Sequence, residues 1–350
     1  MTWRITIGLV TNLLLSFAVL ANAGIGFQHI TLADEGNNRP LDVAVFYPVS
    51  SSSQATTIGE NAVFPGITVS KNAAPESGGH PLVVVSHGYG GNWLNQLWLA
   101  QALVKQGYIV AAPNHPGTTT KDMRTEKAQE LWQRPHDISR VVTALLAAPE
   151  KTGRVDEKRI AAVGHSLGGW TVLELAGGRF STEQFEKDCL THAGLASCKV
   201  YEKMQVAKNA ASRAQLDKPL VDPRISAVIS LDMGLARGIT AESLAAINIP
   251  VLIMAAGYPN EELPAELESH DLARKLPPAY SAYSAYKEIA DATHFSFMQR
   301  CKPGAVEIIN AENPGDGMIC LDGGERSRDQ IHQEVVKDVS EFLQAAWRKP

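Results

Sequence analysis

One serine of this chain stands between glycines, in Gly164-His165-Ser166-Leu167-Gly168, straight after the run "RIAAV" and straight before "GWTVLEL". Glycine weakens strand and helix interiors, so its presence on both sides calls for a cause. A sharp strand-to-helix turn supplies one: it leaves no room for flanking side chains and lifts the serine Oγ above the sheet. A mere packing turn is the competing explanation, but the strand–turn–helix setting favours a reactive hydroxyl. Such a hydroxyl needs a base to take its proton, and the base needs an acid to orient it.

Of ten histidines, three lie beyond residue 200. His270 falls in a polar helix, and His332 inside the last helix, where a solvated or capping role is expected. His294, in "IADATHFSF", follows the last expected strand and can reach the carboxyl edge of a sheet. It is the candidate base. The acid has two sources. Asp232 ends "AVISLD", where a carboxylate with apolar neighbours is costly unless partnered; the alternative is that it caps the turn at Met233-Gly234. Glu261, in "YPNEELP", competes with it, whereas the neighbouring Asn260 carries no charge to stabilise an imidazolium. Asp232 is preferred. A developing oxyanion also needs preorganised donors. The loop "SHGYGG" after the strand "PLVVV" offers the Tyr89 N–H, and the start of the next helix offers that of Leu167.

Other chemistries fit worse. Gly88-Tyr89-Gly90 begins like a dinucleotide loop, but the third glycine of GxGxxG is missing, and no GK[ST] marks a P-loop. Neither cysteine pair has CxxC spacing or a histidine pair nearby, and "NPGDGMICLDGGE" does not fit an EF-hand loop. No metal or organic cofactor is expected. A net charge of −5 without a long basic stretch argues against nucleic acid. A small-molecule or lipid ester is the expected partner.

The elements that must hold these residues alternate. "FQHITLAD" and "LDVAVFYP" read as the first strands, with a turn at Asn37-Asn38-Arg39-Pro40, and residues 49–80 as a long Ser/Thr/Gly/Pro-rich loop. "PLVVVSH", "YIVAAP", "RIAAVGH", "ISAVISLD" and "PVLIMAAG" are the near-continuous apolar runs of strands buried on both faces. Between them, "NWLNQLWLAQALVKQG", "HDISRVVTALLAA" and "LGGWTVLELAGG" have helical spacing, as has the final "RDQIHQEVVKDVSEFLQAAW". Residues 178–222 break the rhythm and read as an inserted cap containing the helix "VYEKMQVAKNAASRAQL". The pattern predicts an α/β fold with a mostly parallel sheet covered by helices. Trp93, Trp98, Trp170 and Tyr89 are candidates either for an acyl pocket or for the core.

The first 23 residues have one cation, Arg4, an apolar centre broken by Thr11, Asn12 and Ser16, and the ending Ala21-Asn22-Ala23. That is the layout of a cleaved export signal, implying a mature domain of residues 24–350 in the periplasm or outside the cell. Its removal deletes one cation and takes the net charge from −5 to −6. In an exported chain, Cys189, Cys198, Cys301 and Cys320 read as disulfides, and proximity suggests Cys189–Cys198 and Cys301–Cys320 among three connectivities.

"SHGYGG", "GHSLGG", "SLDMG" and "ATHFSF", in this order, resemble the α/β-hydrolase superfamily. "RPLDVAVFYP", "PNHPGTTTKD", "RPHDISRVV", "AESLAAINIPVLIMAAG" and "CKPG…CLDGGERSRDQIHQEV" resemble its exported dienelactone-hydrolase-like group, related to platelet-activating-factor acetylhydrolases. The resemblance covers nearly all of residues 26–346. It implies an α/β-hydrolase fold and cleavage of carboxylic esters through an acyl-enzyme, with Ser166, His294 and Asp232 as the triad. Dienelactone hydrolases carry a cysteine where this chain has Ser166, so their lactone specificity is not carried over. Many relatives hold an aspartate near Asn260; the acetylhydrolases place their acid one strand earlier, which matches Asp232. A phospholipid acetylhydrolase, a polyester hydrolase and a silent binding protein of the same fold are the alternatives.

Overall fold

The computed structural model describes residues 24–34, 36, 39–50, 55–277 and 285–348. The expected export segment, and Asn37 and Asn38 of the first expected turn, lie outside them. Among the described residues, ten strands form one sheet: β1 Gly24–Leu32, β2 Leu41–Val49, β3 Ala55–Ile58, β4 Ile67–Lys71, β5 Gly79–Ser86, β6 Ile109–Asn114, β7 Arg154–His165, β8 Ala227–Leu231, β9 Val251–Ala256 and β10 Ala285–Ile289. Their order is β10-β9-β8-β7-β5-β6-β2-β1-β4-β3. From β10 to β6 every neighbour is parallel, while β2 runs antiparallel to both β6 and β1.

The parallel strands are buried on both faces, which explains their unbroken apolar runs. Alternate residues feed two layers. Leu82, Val84, Ala162 and Val228 pack with Trp170 and Val141 on one side. Val83, Val85, Val163 and Ile229 pack with Leu99 and Val335 on the other. The helices Gln133–Ala147 and Leu167–Leu175 thus cover one face, and Leu97–Val104 and Arg328–Ala346 the other.

Residues 49–80 differ from expectation. They hold β3 and β4, because Ile58, Ile67 and Val69 bury beside Phe27 and extend the sheet past β1. Polar composition concealed that short alternation. The single helix expected from Val200 to Leu216 is two, Ala196–Lys203 and Ala210–Leu216. Gln205 and Ala207, at φ 57° and 55°, break it, and the Asn209 side chain caps the second piece by accepting from the Ser212 N–H. With Thr182–Thr191, these helices turn Phe185, Tyr201 and Met204 onto Phe180 and Trp170. Disulfides join Cys189 to Cys198 and Cys301 to Cys320.

The register aligns the carboxyl ends of the parallel strands. Ser86 pairs with Gly164, His165 with Leu231, Leu231 with Met254, and Ala256 with Ile289. Residues that follow these strands therefore meet along one rim, where open α/β sheets bind their ligands.

Candidate active site

Ser166 sits between β7 and the helix Leu167–Leu175 at φ 56° and ψ −121°, a backbone conformation that costs energy for a residue with a Cβ. Its neighbours have to be glycine. A Cβ on Gly164 would collide with the Gly168 carbonyl, and one on Gly168 with the Ser86 carbonyl. The turn is pinned by the Ser166 N–H donating to the Leu231 carbonyl (2.9 Å) and the Gly169 N–H donating to that of Ser166 (2.8 Å).

The strained serine meets a histidine 128 positions away in the chain: Ser166 Oγ lies 3.0 Å from His294 Nε2. On the other side of that ring, Nδ1 lies 2.6 Å from Asp232 Oδ2. Asp232 is itself held at φ 43°, just past β8. Its Oδ1 accepts from the Ala256 N–H (2.9 Å), and its own N–H donates to the Met254 carbonyl (2.7 Å). A carboxylate fixed in this way keeps the Nδ1 proton in place and leaves Nε2 free to accept from the serine. The carboxylate is nearly buried and the imidazole retains 15% exposure, so the array opens to solvent at the serine end. Glu261 is exposed, in a turn where Asn260 Oδ1 accepts from the Glu262 N–H.

The loop after β5 runs against the serine, and a Cβ on Gly88 would come within 3.1 Å of that of Ser166. Tyr89 follows in this loop, while Leu167 opens the serine's helix, where N–H groups have no intrahelical partner. Tyr89 is half-buried beneath Lys203, whose Nζ stands 5.7 Å from the ring centroid. The tryptophans lie elsewhere. Trp170 is fully buried against Phe180, Trp98 is stacked on His332, and Trp93 packs on Phe27 and Phe46.

His332 corrects an expectation. It is neither solvated nor a cap: its ring lies 3.7 Å from that of Trp98, and Nε2 donates to the Ser296 and Met298 carbonyls. Its helix turns this face to the sheet, and burial lowers the imidazole pKa to about 3, so it is neutral.

A family model described as "Alpha/beta hydrolase family" matches residues 82–307, which include Ser166, Asp232 and His294. The chain belongs to the alpha/beta hydrolase family. Cutinase 1 of Thermobifida cellulosilytica and the cutinase of Thermobifida fusca (strain YX) are each 30% identical to it over 105 residues. Those residues are 30% of this chain and only 37% and 32% of the two cutinases, so the match spans about a third of these curated relatives. The solved ferulic acid esterase from Streptomyces cinnamoneus superposes with a TM-score of 0.62 at 20% identity, over 94% of this chain and 91% of that one, a likeness of fold.

Two further groups in this alpha/beta hydrolase are not singled out by the sequence motifs. His165, inside the GxSxG stretch, donates from Nε2 to the His294 carbonyl (2.9 Å), its ring 4.7 Å from the His294 ring. Burial holds it well below its ordinary pKa, and therefore neutral. The second group is fully buried. Ser86 Oγ lies 2.9 Å from His115 Nε2, His115 Nδ1 lies 3.0 Å from Asp137 Oδ2, and Asp137 accepts two bonds from Arg39. Arg134 lies across this group and donates to Thr118 Oγ1 (2.5 Å), Thr171 Oγ1 (3.0 Å), Ser86 Oγ (3.2 Å) and the His87 carbonyl. Burial lowers its pKa to about 9. The sequence did not mark this group: Arg134 and Asp137 lie on the buried face of their helix, but among the polar residues of "QRPHDISR".

Proposed function

We propose that the protein is a serine hydrolase that cleaves carboxylic esters through an acyl-enzyme. The supporting observation is the unbroken series of hydrogen bonds from Ser166 Oγ through His294 to Asp232, at 3.0 and 2.6 Å. Ser166 Oγ attacks the ester carbonyl carbon while His294 Nε2 takes its proton, and Asp232 stabilises the imidazolium that forms. The carbonyl oxygen becomes an oxyanion received by the Tyr89 and Leu167 N–H groups. As the intermediate collapses, His294 gives the proton to the departing alcohol. Water then attacks the acyl carbon while His294 takes its proton, and the second intermediate collapses as His294 returns that proton to Ser166 Oγ, releasing the carboxylic acid.

Esters are favoured as the substrate class by the relatives, two named cutinases and a ferulic acid esterase. Residues 178–222 act as a cap, with Lys203 over Tyr89 bordering the acyl site. Loss of residues 1–23 delivers the mature enzyme to the periplasm or the exterior. Two disulfides support an oxidising destination, and no helix among the described residues is long and apolar enough to cross a membrane.

The test is p-nitrophenyl ester turnover across acyl lengths, with an alkyl phosphonate as serine label. The expected outcome is ester turnover, little cleavage of peptide anilides, and a single labelled residue, Ser166. A folded protein that takes up no label would be a silent binder and would overturn the reading.

A further inference from the structure

We infer that His87 is a positioning residue, whose ring fixes the direction of the Gly88–Tyr89 peptide and with it the Tyr89 N–H. The inference rests on the ester-hydrolase reading above for what that N–H receives.

The ring bonds leave one tautomer. The His115 backbone N–H can only donate, and it meets His87 Nε2 at 3.0 Å. Nε2 is therefore the acceptor, and the ring proton sits on Nδ1. Nδ1 lies 2.7 Å from the Gly88 carbonyl and donates to it. The Gly91 N–H donates to the same oxygen at 3.1 Å. A peptide unit is planar, with its C=O and N–H pointing in opposite directions. Holding the Gly88 oxygen thus aims the Tyr89 N–H the other way. The ring is 1% exposed, and burial together with the Arg134 charge disfavours its protonation, so the neutral tautomer persists.

Arg134 ties both halves of the proposed oxyanion site together. One edge of its guanidinium holds the His87 carbonyl; its Nε donates to Thr171 Oγ1, which in turn donates to the Leu167 carbonyl (3.0 Å). The stretches "SHGYGG", "PNHPGTTTKD" and "RPHDISRVV" thus converge beneath a single peptide, although no triad argument uses the last two.

Packing and positioning make opposite predictions for two substitutions. His87→Phe keeps the ring volume beside His115 (centroids 5.1 Å apart) but has no donor. His87→Asn loses volume but puts an amide N–H close to the position of Nδ1. With kcat normalised to sites titrated by the phosphonate, His87→Phe should lose about 10²-fold, the typical cost of one oxyanion donor, with KM nearly unchanged. His87→Asn should keep most of kcat despite a lower Tm. Affinity for a trifluoromethyl ketone, which forms the tetrahedral adduct, should fall in step with kcat. The reverse ranking, Phe active and Asn impaired in proportion to Tm, would overturn the proposal. A second readout needs no turnover. Ring 15N shifts of His87 should report a neutral Nδ1–H tautomer, and an Nε2–H tautomer would overturn the proposal in any variant background. Failure of the wild type on every ester, with that tautomer intact, would count against the ester-hydrolase reading alone.

Discussion

Two serine–histidine–aspartate arrays lie among the described residues, and the proposed reaction uses only one of them. In Ser166–His294–Asp232 and in Ser86–His115–Asp137 the hydroxyl meets Nε2 and the carboxylate meets Nδ1, at 3.0 and 2.6 Å in the first and 2.9 and 3.0 Å in the second. Residue types and distances barely distinguish them. Surroundings do. Ser166 is lifted on a strained turn at a helix start, half-exposed, with Gly88 packed beside it. Ser86 ends a regular strand at 0% exposure, and its Oγ also accepts from Arg134. His115 feels burial first, then the charges of Arg134 and Arg39, and its pKa is pushed well below 6.5. A base must hold a proton part-way through the reaction, which burial and two guanidinium charges disfavour at His115. The proposed reactivity of Ser166 rests on access, strain and the sign of neighbouring charge.

Paired substitutions test that contrast most sharply. Ser166→Ala should reduce ester turnover by about 10⁵-fold or more, the order seen when a triad nucleophile is removed, and abolish phosphonate labelling. Ser86→Ala should leave turnover within about tenfold and cost about 1–3 kcal/mol, because Arg134 and His115 lose a buried partner. Appreciable labelling at Ser86 would erase the distinction. Next in size, Asp232→Asn should lower kcat by about 10⁴-fold, since an amide favours the wrong imidazole tautomer. Glu261→Gln should be silent. The opposite pair of results would move the acid to the loop after β9.

Much of this was legible in the sequence, for identifiable reasons. The glycines around Ser166 declare a close approach that no other residue permits, and the apolar runs of β5, β8 and β9 declare strands buried on both faces. Asp232 could be read because it directly follows such a run, and His294 because it follows the last strand, β10, although that strand is polar and mostly exposed. What could not be read depends on neighbours distant in the chain. β4 is a strand because β1 offers it an edge, and His332 is buried because Trp98, 234 positions earlier, supplies the stacking face. The Arg39–Asp137 pair spans 98 positions, and without its partner each residue looks like an ordinary surface charge.

That pair gives the third prediction. Asp137 is fully buried, and burial raises its pKa, outweighing the two Arg39 bonds that act to lower it. Asp137→Asn removes the bidentate partner of the Arg39 guanidinium, which is 2% exposed and keeps only Glu130 Oε2 at 3.8 Å, and breaking a buried pair costs about 3 kcal/mol or more. Urea unfolding should register the loss, whereas phosphonate labelling of Ser166 in the protein that remains folded should persist. If the variant melts with the wild type, the second array does not support the structure.

Glu174 sharpens the contrast from the other side, with the smallest effect. It lies on the Ser166 helix, as buried as Asp137 but without an ion pair, and burial raises its pKa well above 4.5. Arg39 chelates Asp137, whereas burial, the largest influence on Glu174, favours its protonated form. The unfolded chain releases that proton near pH 4.5, whereas the folded chain holds it to a higher pH. Between the two values the native state binds more protons, so this contribution is complete below the unfolded pKa and is lost as pH rises through the folded one. Glu174→Gln retains the shape and removes the titration. The wild-type-minus-variant stability difference should therefore fall with rising pH above about 4.5, at no more than about 1.4 kcal/mol per pH unit. Differencing cancels the other buried acids, such as Glu268, which Arg237 partners. A flat difference curve from pH 4 to 9 would mean that Glu174 is charged in the folded protein and has a partner. Burial alone would then not separate the acids of this fold.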